Sequence, residues 1–191
     1  MIKFDKIVVL ASQSPSRLEL IKLIFDSVEI FPADCDETLP EGIGAREAVE
    51  YLSKIKNDAS AKLTDKENLV ISADTVVSVD NEILGKPVDK EEARRMISLL
   101  SGKVHQVYTG VTLSLNGKTK TFSEKTDVAF FALTEDEIEE YISSSEPYDK
   151  AGAYGIQGKA GLLVKGINGD YYNVVGFPIA RLKREIEEFI K

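Results

Sequence analysis

The chain has 191 residues, which is long enough to bury a substantial core as one large domain or as two lobes. Hydrophobic residues make up 43% of it and charged residues 29%, a globular composition that excludes a disordered chain. The net charge of −8 argues against a broad nucleic-acid surface, because such surfaces depend on Lys and Arg. A small phosphorylated ligand remains compatible with this charge if the few cations cluster.

The N-terminus and the cysteine content narrow the class of protein further. Charged residues interrupt the opening residues and no apolar run approaches the roughly 18 residues of a membrane span, so we expect a cytoplasmic protein with no signal peptide. Cys35 is the only cysteine, which excludes an intramolecular disulfide and a cysteine-based metal cluster. Because the only histidine, His105, lies in an unrelated segment, we expect Cys35 to be structural.

Residues 6–11 predict a short buried strand that leads into a hydroxyl-rich turn and then a helix to about residue 25. Ser14 suits the N-cap and Pro15 the first helical turn. The N–H groups of such a turn favour an anion, and Arg17 could add a bidentate contact to phosphate. An ordinary capped helix with a surface arginine fits the same pattern, and both interpretations stay open.

The segment that follows combines acidic and basic residues. Residues 28–33 predict a second strand and residues 34–37 form an acidic stretch. Residues 45–63 predict a long amphipathic helix with apolar residues on one face. Several lysines lie along or beside this helix, and their spacing distinguishes none of them.

A buried strand over residues 69–79 carries an acid, Asp74, in its middle. Burying an ionised carboxylate is costly unless it is paired, hydrogen-bonded or bound to a metal. A hairpin at Asp80-Asn81 could bring Lys86 back beside the strand as the partner. A structural ion pair or a solvated strand end fits this stretch about as well as a functional site.

The remaining elements alternate between sheet and helix. They are a helix over 89–100, strands over 103–115 and 118–132 joined by an Asn116-Gly117 hairpin, a helix after a Thr134 capping box, a strand over 162–167 and a C-terminal helix. Gly110 predicts a bulge or a close backbone approach. The loop over 146–158 is dense in Gly, Tyr and charge, which makes it a candidate site.

Six segments in a fixed order resemble the Maf family of nucleoside triphosphate pyrophosphatases. They are LASQSPSRLELI at 10–21, ISADTVV at 71–77, GKP at 85–87, SGKVHQVYTGV at 101–111, EPYDKAGAYGIQG at 146–158 and INGDYYNVVGFP at 167–178. The resemblance implies a single domain over residues 1–191 with an α/β fold. Its long mixed β-sheet would be flanked by helices, with a deep cleft between two lobes, similar to the inosine triphosphatase group.

The resemblance also implies hydrolysis of a nucleoside triphosphate between its α- and β-phosphates, with Mg²⁺ or Mn²⁺ as cofactor. Asp74 would activate the attacking water, with Lys86 as its catalytic partner on the phosphates, and Glu37 with Asp74 would contact the metal. The other substrate-binding positions that match the family are Ser12, Ser14, Arg17, Lys56, Lys150 and Gln157. We expect structural roles for His105 and Thr109, and we expect Asp149 to orient its loop.

Base specificity rests on three positions. Thr75 and Gln157 resemble the members of the family that act on dTTP and UTP. Those members usually carry two consecutive arginines where this chain has Ser16-Arg17, and a serine lacks the charge and the planar donors of arginine. Members acting on 7-methyl-GTP, the alternative, tend to carry an aromatic residue at position 16. We therefore expect pyrimidine triphosphates, including modified ones.

Two other functions fit the same residues. One is a nucleotide-sensing regulatory module, for instance in cell division, and the other is a phosphate chemistry that releases inorganic phosphate only. A pure binder needs no water-activating acid, so Asp74 together with Lys56 and Lys86 favours the enzyme. Families of this kind commonly form homodimers, although no pattern in the sequence assigns an interface.

Overall fold

The structure is a computed structural model that describes residues 1–191 and contains one seven-stranded mixed sheet with helices packed around it. The strands are β1 (Val8–Leu10), β2 (Glu29–Ile30), β3 (Leu69–Val79), β4 (Glu82–Leu84), β5 (Val104–Leu115), β6 (Lys118–Phe130) and β7 (Val164–Asn168). The α-helices are α1 (Pro15–Ile21), α2 (Ala45–Ala61), α3 (Lys90–Leu100), α4 (Glu135–Ile142), α5 (Tyr171–Val175) and α6 (Ile179–Phe189). Short 3₁₀ turns occupy Pro147–Asp149, Ala151–Ala153 and Lys159–Leu162.

The strand order in the sheet is β2-β1-β3-β5-β6-β7, and β4 also pairs with β3. β1 lies parallel to both β2 and β3, whereas the pairs β3–β4 and β6–β7 are antiparallel. The two-residue turn at Asp80-Asn81 can join β3 and β4 only as antiparallel strands, whereas the parallel pair of β1 and β2 is connected through helix α1. The predicted α/β class with a long mixed sheet is confirmed. No helix combines the length and the apolar character needed to cross a membrane.

The chain divides into two compact units. The first unit comprises residues 1–74, 109–124 and 176–191, and the second comprises residues 75–108 and 125–175. The chain passes from one unit to the other within the strands β3, β5 and β6, and once more directly after α5, between residues 175 and 176.

In the first unit, helix α2 lies unusually close to the sheet. A Cβ atom built on Gly110 of β5 would lie 2.2 Å from the Val49 carbonyl oxygen of α2, so only glycine fits there. Asn57, fully buried on the same helix, donates from Nδ2 to the carbonyl oxygens of Val70 and Thr112, each at 3.0 Å. These contacts fix the position of α2 along and above the strands. The close approach predicted at Gly110 is confirmed.

In the second unit, α3 and α4 bury their apolar faces in a shared hydrophobic cluster. It includes Ala93, Met96 and Ile97 of α3, Ile138, Tyr141 and Ile142 of α4, and Val107, Val128 and Phe130 of the strands. The two helices begin with side-chain caps, since Asp89 accepts a hydrogen bond from the Glu92 N–H and Thr134 forms a reciprocal capping box with Glu137. Capping and apolar spacing therefore fix both helices locally, as predicted.

Both predicted hairpin turns are present. Asp80 and Asn81 have φ of 50° and 66°, and Asn116 and Gly117 have φ of 51° and 77°. Left-handed conformations at both central positions match the right-handed twist of the flanking strands, and Asn, Asp and Gly tolerate them best. The turns set the registers of β3 with β4 and of β5 with β6.

Some boundaries differ from the predictions. The strand predicted over 28–33 is only the two residues Glu29–Ile30, and α1 ends at Ile21 because the following N–H groups form tighter i to i−3 bonds. β7 begins two residues later than predicted, after a 3₁₀ turn that leaves Leu162 83% exposed. The five-residue helix α5 was not predicted, because the Asn-Gly-Asp sequence before it indicated a loop.

Candidate active site

The turn between β1 and α1 is organised by two serine hydroxyls. Ser12 Oγ accepts hydrogen bonds from the Ser14 N–H at 3.2 Å and from Arg17 Nη1 at 3.3 Å. Ser14 Oγ caps α1 by accepting from the Arg17 N–H at 3.4 Å, and Pro15 occupies the first helical turn. Ser16 follows, half-buried, on the same short helix. The predicted capped helix is confirmed, whereas phosphate binding by this turn stays a prediction.

Arg17 connects three segments of the first unit. Its Nη1 donates to the Ala73 carbonyl oxygen at 2.7 Å and its Nε to the Gly176 carbonyl oxygen at 3.0 Å. Burial lowers the pKa of the guanidinium, while the charges of Asp74 and Glu37 act in the opposite direction. Because Ala73 directly precedes Asp74, Arg17 fixes the backbone from which the Asp74 side chain projects. Arg17 thus joins α1 to the backbone beside Asp74, and its predicted contact with phosphate stays a prediction.

Lys56, Asp74 and Glu37 form an ion-pair cluster, and we call these three residues the acid–lysine cluster. Lys56 Nζ lies 2.5 Å from Asp74 Oδ1 and 2.8 Å from Glu37 Oε2. The side chains of Asp74 and Lys56 are 13% and 21% exposed, so this pair is largely removed from water. The observed ion partner of Asp74 is therefore a lysine of α2, whereas the sequence suggested Lys86.

The charge state of the cluster follows from its contacts. Burial lowers the pKa of the Lys56 ammonium, but the charges and hydrogen bonds of Asp74 and Glu37 outweigh it, so that the pKa is raised above its ordinary value. Lys56 is consequently an ammonium at neutral pH. Its positive charge lies 2.5 Å from the Asp74 carboxylate and offsets the cost of placing that group in a poorly hydrated position.

The donor set of the cluster limits the kind of metal it can hold. Glu37 and Asp74 both contact one ammonium nitrogen, so both lie within reach of a single small cation. The structure contains no group of three or more His, Cys, Asp or Glu residues arranged around a metal position. Mg²⁺ is commonly held by one or two carboxylates together with waters and substrate phosphates, and Mn²⁺ accepts the same oxygen ligands. Glu37 and Asp74 fit such a substrate-bridged ion.

In the second unit, the Gly85-Lys86 turn is attached to the loop over 146–158, which we call the glycine loop. The Gly152 N–H donates to the Gly85 carbonyl oxygen at 2.9 Å. Lys86, exposed, follows directly in the sequence, and Thr75, half-buried, lies on β3 next to Asp74. The backbone bond therefore makes the position of Lys86 depend on that of the glycine loop.

Lys150 and Gln157 lie within the glycine loop. Lys150 Nζ contacts both carboxylate oxygens of Asp149 at 2.7 Å. A Cβ atom built on Gly155 would lie 3.2 Å from Lys150 Cε, so the lysine side chain passes over this glycine. Gln157 is exposed two residues further on. The loop thus carries a cationic group and an amide seven residues apart, with the lysine side chain lying over Gly155 between them.

His105 lies in the core of the second unit rather than at an exposed surface. It is fully buried on β5, and its Nε2 shares a 2.7 Å hydrogen bond with the hydroxyl of Tyr154. Burial lowers the pKa of His105 to about 4, which makes it neutral at physiological pH. Thr109 on the same strand is also fully buried.

The low pKa of His105 predicts an acid dependence of stability. In the unfolded chain this histidine takes up a proton near its ordinary pKa of about 6.5, whereas in the folded protein it does so only near 4. The contribution of neutral His105 to the free energy of unfolding is therefore complete above pH 6.5 and is lost as the pH falls towards 4. Between pH 7.5 and 4.5 the loss attributable to His105 is at most about 3 kcal/mol. Denaturant unfolding at several pH values should show that H105Q has a flatter pH profile than the parent protein. Parallel profiles would contradict the prediction.

Comparison with known proteins agrees with this fold. The structure of the Staphylococcus aureus Ham1 protein matches with a TM-score of 0.57 at 18% identity, covering 96% of this chain and 99% of that one. It shares the α/β fold expected from the sequence. The chain itself belongs to the Maf-like protein family, whose model matches residues 7–189.

Two relatives in this family are similar over nearly their whole length. A dTTP/UTP pyrophosphatase of Bacillus cytotoxicus is 50% identical over 181 residues, covering 95% of this chain and 94% of the relative. A dTTP/UTP pyrophosphatase of Bacillus cereus is 47% identical over 182 residues, covering 95% of each. The family expected from the six sequence segments is confirmed.

Proposed function

We propose that the protein is a nucleoside triphosphate pyrophosphatase that acts on dTTP, UTP or modified pyrimidine triphosphates. The observation that carries the proposal is the acid–lysine cluster, in which the Lys56 ammonium lies 2.5 Å from the largely buried carboxylate of Asp74. Support comes from the relatives at 47% and 50% identity named dTTP/UTP pyrophosphatases.

The proposed reaction is an in-line displacement by water. The water oxygen bonds to the α-phosphorus as the bond to the bridging oxygen breaks, and pyrophosphate leaves with that oxygen. The Asp74 carboxylate, whose Oδ1 contacts Lys56, would also hold the attacking water. It would then take up the proton that this water loses. Arg17 supports this geometry, because its bond to the Ala73 carbonyl limits movement of the Asp74 backbone.

We further propose that the reaction requires Mg²⁺ or Mn²⁺, which would neutralise charge on the phosphate oxygens when bound. Glu37 and Asp74 would hold the ion. The cationic side chains Lys86 and Lys150 would contact the phosphates, together with the Ser12–Ser14 turn. These assignments rest on the family resemblance and on the residue types, since ammonium groups are common phosphate ligands.

For the base, we propose that Thr75 and Gln157 determine the preference for pyrimidines. A glutamine amide offers both a donor and an acceptor, which suits the edge of a pyrimidine ring. Ser16 would leave less contact with the substrate than an arginine, so the enzyme should discriminate less sharply among modified pyrimidines.

A substrate panel tests the proposal. Purified protein would be incubated with dTTP, UTP, 5-methyl-UTP, dCTP, ATP, GTP and 7-methyl-GTP in EDTA, Mg²⁺ or Mn²⁺, and the products separated by anion-exchange chromatography. We expect the monophosphate and pyrophosphate in equal amounts, most rapidly from dTTP and UTP, and no turnover in EDTA.

Other outcomes of the panel distinguish the alternatives. Nucleotide binding without turnover would identify a sensing module, and release of inorganic phosphate alone would identify a different phosphate chemistry. Preference for 7-methyl-GTP would contradict the pyrimidine assignment. Turnover undiminished by EDTA would contradict the metal requirement.

Location and partners remain proposals as well. A cytoplasmic site of action would place the protein with its nucleotide substrates, and the net charge of −8 supports the absence of stable nucleic-acid binding. A homodimer is the assembly we expect from families of this kind, and light scattering of the purified protein would test it.

A further inference from the structure

The glycine loop contains a backbone corner that is unfavourable by itself. Gly152 has φ of 67° and Ala153 has φ of 61°, so two consecutive residues are left-handed. Glycine adopts this conformation freely, but alanine does not, because its Cβ crowds the neighbouring carbonyl oxygen. Ala153 is fully buried. A strained residue of this kind persists only where the surrounding structure holds it in place.

One side of the corner is held by the backbone and by close packing. The Gly152 N–H donates to Gly85, and a Cβ atom on Gly152 would lie 2.8 Å from Val77 Cβ, so this residue is pressed against β3. The Ala153 N–H donates to the Lys150 carbonyl oxygen at 3.1 Å. These contacts define where the corner begins, but not where the chain leaves it.

The other side of the corner is held by Tyr154. Its hydroxyl shares the 2.7 Å hydrogen bond with His105 Nε2, and both residues are buried. The rings of His105, Tyr154 and Phe130 contact one another edge to face, with centroid distances of 4.9 to 5.3 Å. Because His105 and Phe130 belong to the sheet, the hydrogen bond attaches the exit of the corner to the buried strands β5 and β6.

The polar atoms of this pair are costly if they serve only to fill space. A phenylalanine would occupy the position of the Tyr154 ring without a hydroxyl to desolvate. His105 Nδ1 is buried without a hydrogen-bond partner, so the histidine carries an uncompensated polar atom in the core. A directional hydrogen bond from the loop to the His105 ring explains why a histidine and a tyrosine occupy these two buried positions.

We infer that His105 and Tyr154 are a positioning pair that sets where Lys150 and Gln157 of the glycine loop meet the nucleotide. Lys150 passes over Gly155, the residue after Tyr154, and Gln157 follows two positions later. A shift of the Tyr154 anchor therefore moves both side chains. The inference rests on the proposed function, in which these two residues contact substrate.

The ends of the glycine loop are closed independently of this bond. Both carboxylate oxygens of Glu146 accept from the Lys159 N–H, at 2.8 and 3.1 Å, and they lie where a Cβ on Gly158 would be. Loss of the Tyr154 hydroxyl therefore leaves the loop closed at its ends. It frees the segment between the corner and Gln157, including Gly155 beneath the Lys150 side chain, so the effect should be on substrate placement.

The test is the variant Y154F, which keeps the ring and removes the hydroxyl. We expect kcat/KM for dTTP and UTP to fall about tenfold, mainly through KM, as for the loss of one hydrogen bond at 1.4 kcal/mol per tenfold. The preference for dTTP over the other triphosphates of the panel should narrow, because Gln157 is no longer held in one place. H105Q should behave alike, and the double variant should be no worse than the more impaired single variant.

Y148F is the matched control. Tyr148 lies in the same loop, before the corner, and its hydroxyl also donates one 2.7 Å hydrogen bond, to the Ile142 carbonyl oxygen. The Y148F variant loses the same chemical group as Y154F, and its Tm should fall by a similar amount. Its kcat/KM and its base preference should remain within about twofold of the parent protein.

The possible results separate the inference from the proposed function. A parent protein that hydrolyses no nucleoside triphosphate overturns both. An active parent protein with Y154F indistinguishable from Y148F in KM and base preference overturns the inference alone. If Y154F does not fold, the decision passes to H105Q, for which parent-like KM and base preference overturn the inference and an increased KM with a narrowed preference supports it.

Discussion

Replacing Asp74 with asparagine is expected to slow pyrophosphate release by about 10²- to 10⁴-fold, the usual contribution of a positioned general base. Asparagine keeps the shape of the side chain and can still accept a hydrogen bond from Lys56, which lies 2.5 Å from Asp74 Oδ1. The amide cannot take up the proton of the attacking water. The fall should therefore appear in kcat, with the fold intact by circular dichroism.

A matched control for D74N lies on α2. Asp58 also pairs with a lysine at 2.5 Å, in this case Lys54, but the pair is exposed, with its side chains 52% and 40% accessible. D58N removes the same charge from an acid–lysine pair of the same length, and such exposed pairs contribute little. Its turnover should equal that of the parent protein. Retention of more than a tenth of the parent rate by D74N would exclude Asp74 as the base.

Much of the fold follows from local sequence patterns. The apolar strand containing Asp74, the Asn116-Gly117 hairpin and the capping box at Thr134 are each specified by residues within a few positions of one another, and the structure has all three. The element boundaries that differ from the predictions lie where the hydrogen bonds of the last turn determine the end of the element. α1, for example, ends in a tightened turn after Ile21 that no residue type signals.

The partner of Asp74 could not be read from the sequence in the same way. Lys86 was the candidate because a hairpin brings it close along the chain, whereas Lys56 reaches Asp74 only through the packing of α2 on the sheet. A signal existed in retrospect, because Asn57 beside Lys56 is polar on a face that packs on strands. A buried amide on a helix implies partners in the sheet and marks the side that faces it.

Side-chain hydrogen bonds to backbone carbonyl groups could not be predicted from the sequence either. Arg17 donates to the carbonyl oxygens of Ala73 and Gly176, and any residue at those positions would offer the same acceptor. The sequence resemblance predicts that Arg17 binds substrate, whereas only the fold shows its hydrogen bond to the strand before Asp74. The same holds for the bond between Tyr154 and His105, whose residues are 49 positions apart.

Replacing Gly110 with alanine is expected to be among the most damaging changes outside the cluster. The new Cβ would lie 2.2 Å from the carbonyl oxygen and 2.4 Å from the carbonyl carbon of Val49, and 2.8 Å from the Glu50 nitrogen. All three are backbone atoms of α2, so no side-chain rotation relieves the clash and the helix must move. We expect the free energy of unfolding to fall by about 3 kcal/mol and Tm by about 6 to 12 °C.

The same displacement of α2 should also lower the rate of hydrolysis, because α2 carries Lys56. A helix pushed away from β5 lengthens the contact between Lys56 and Asp74, so pyrophosphate release at 25 °C, where the variant is still folded, should fall at least about tenfold. G166A is the control, since a Cβ at Gly166 of β7 meets no atom within 4 Å. Its stability and turnover should match those of the parent protein. A G110A variant with parent-like Tm but reduced turnover would show that the protein accommodates the helix shift at the expense of the acid–lysine cluster. If both Tm and turnover equal those of the parent protein, the contact of α2 with Gly110 does not position Lys56.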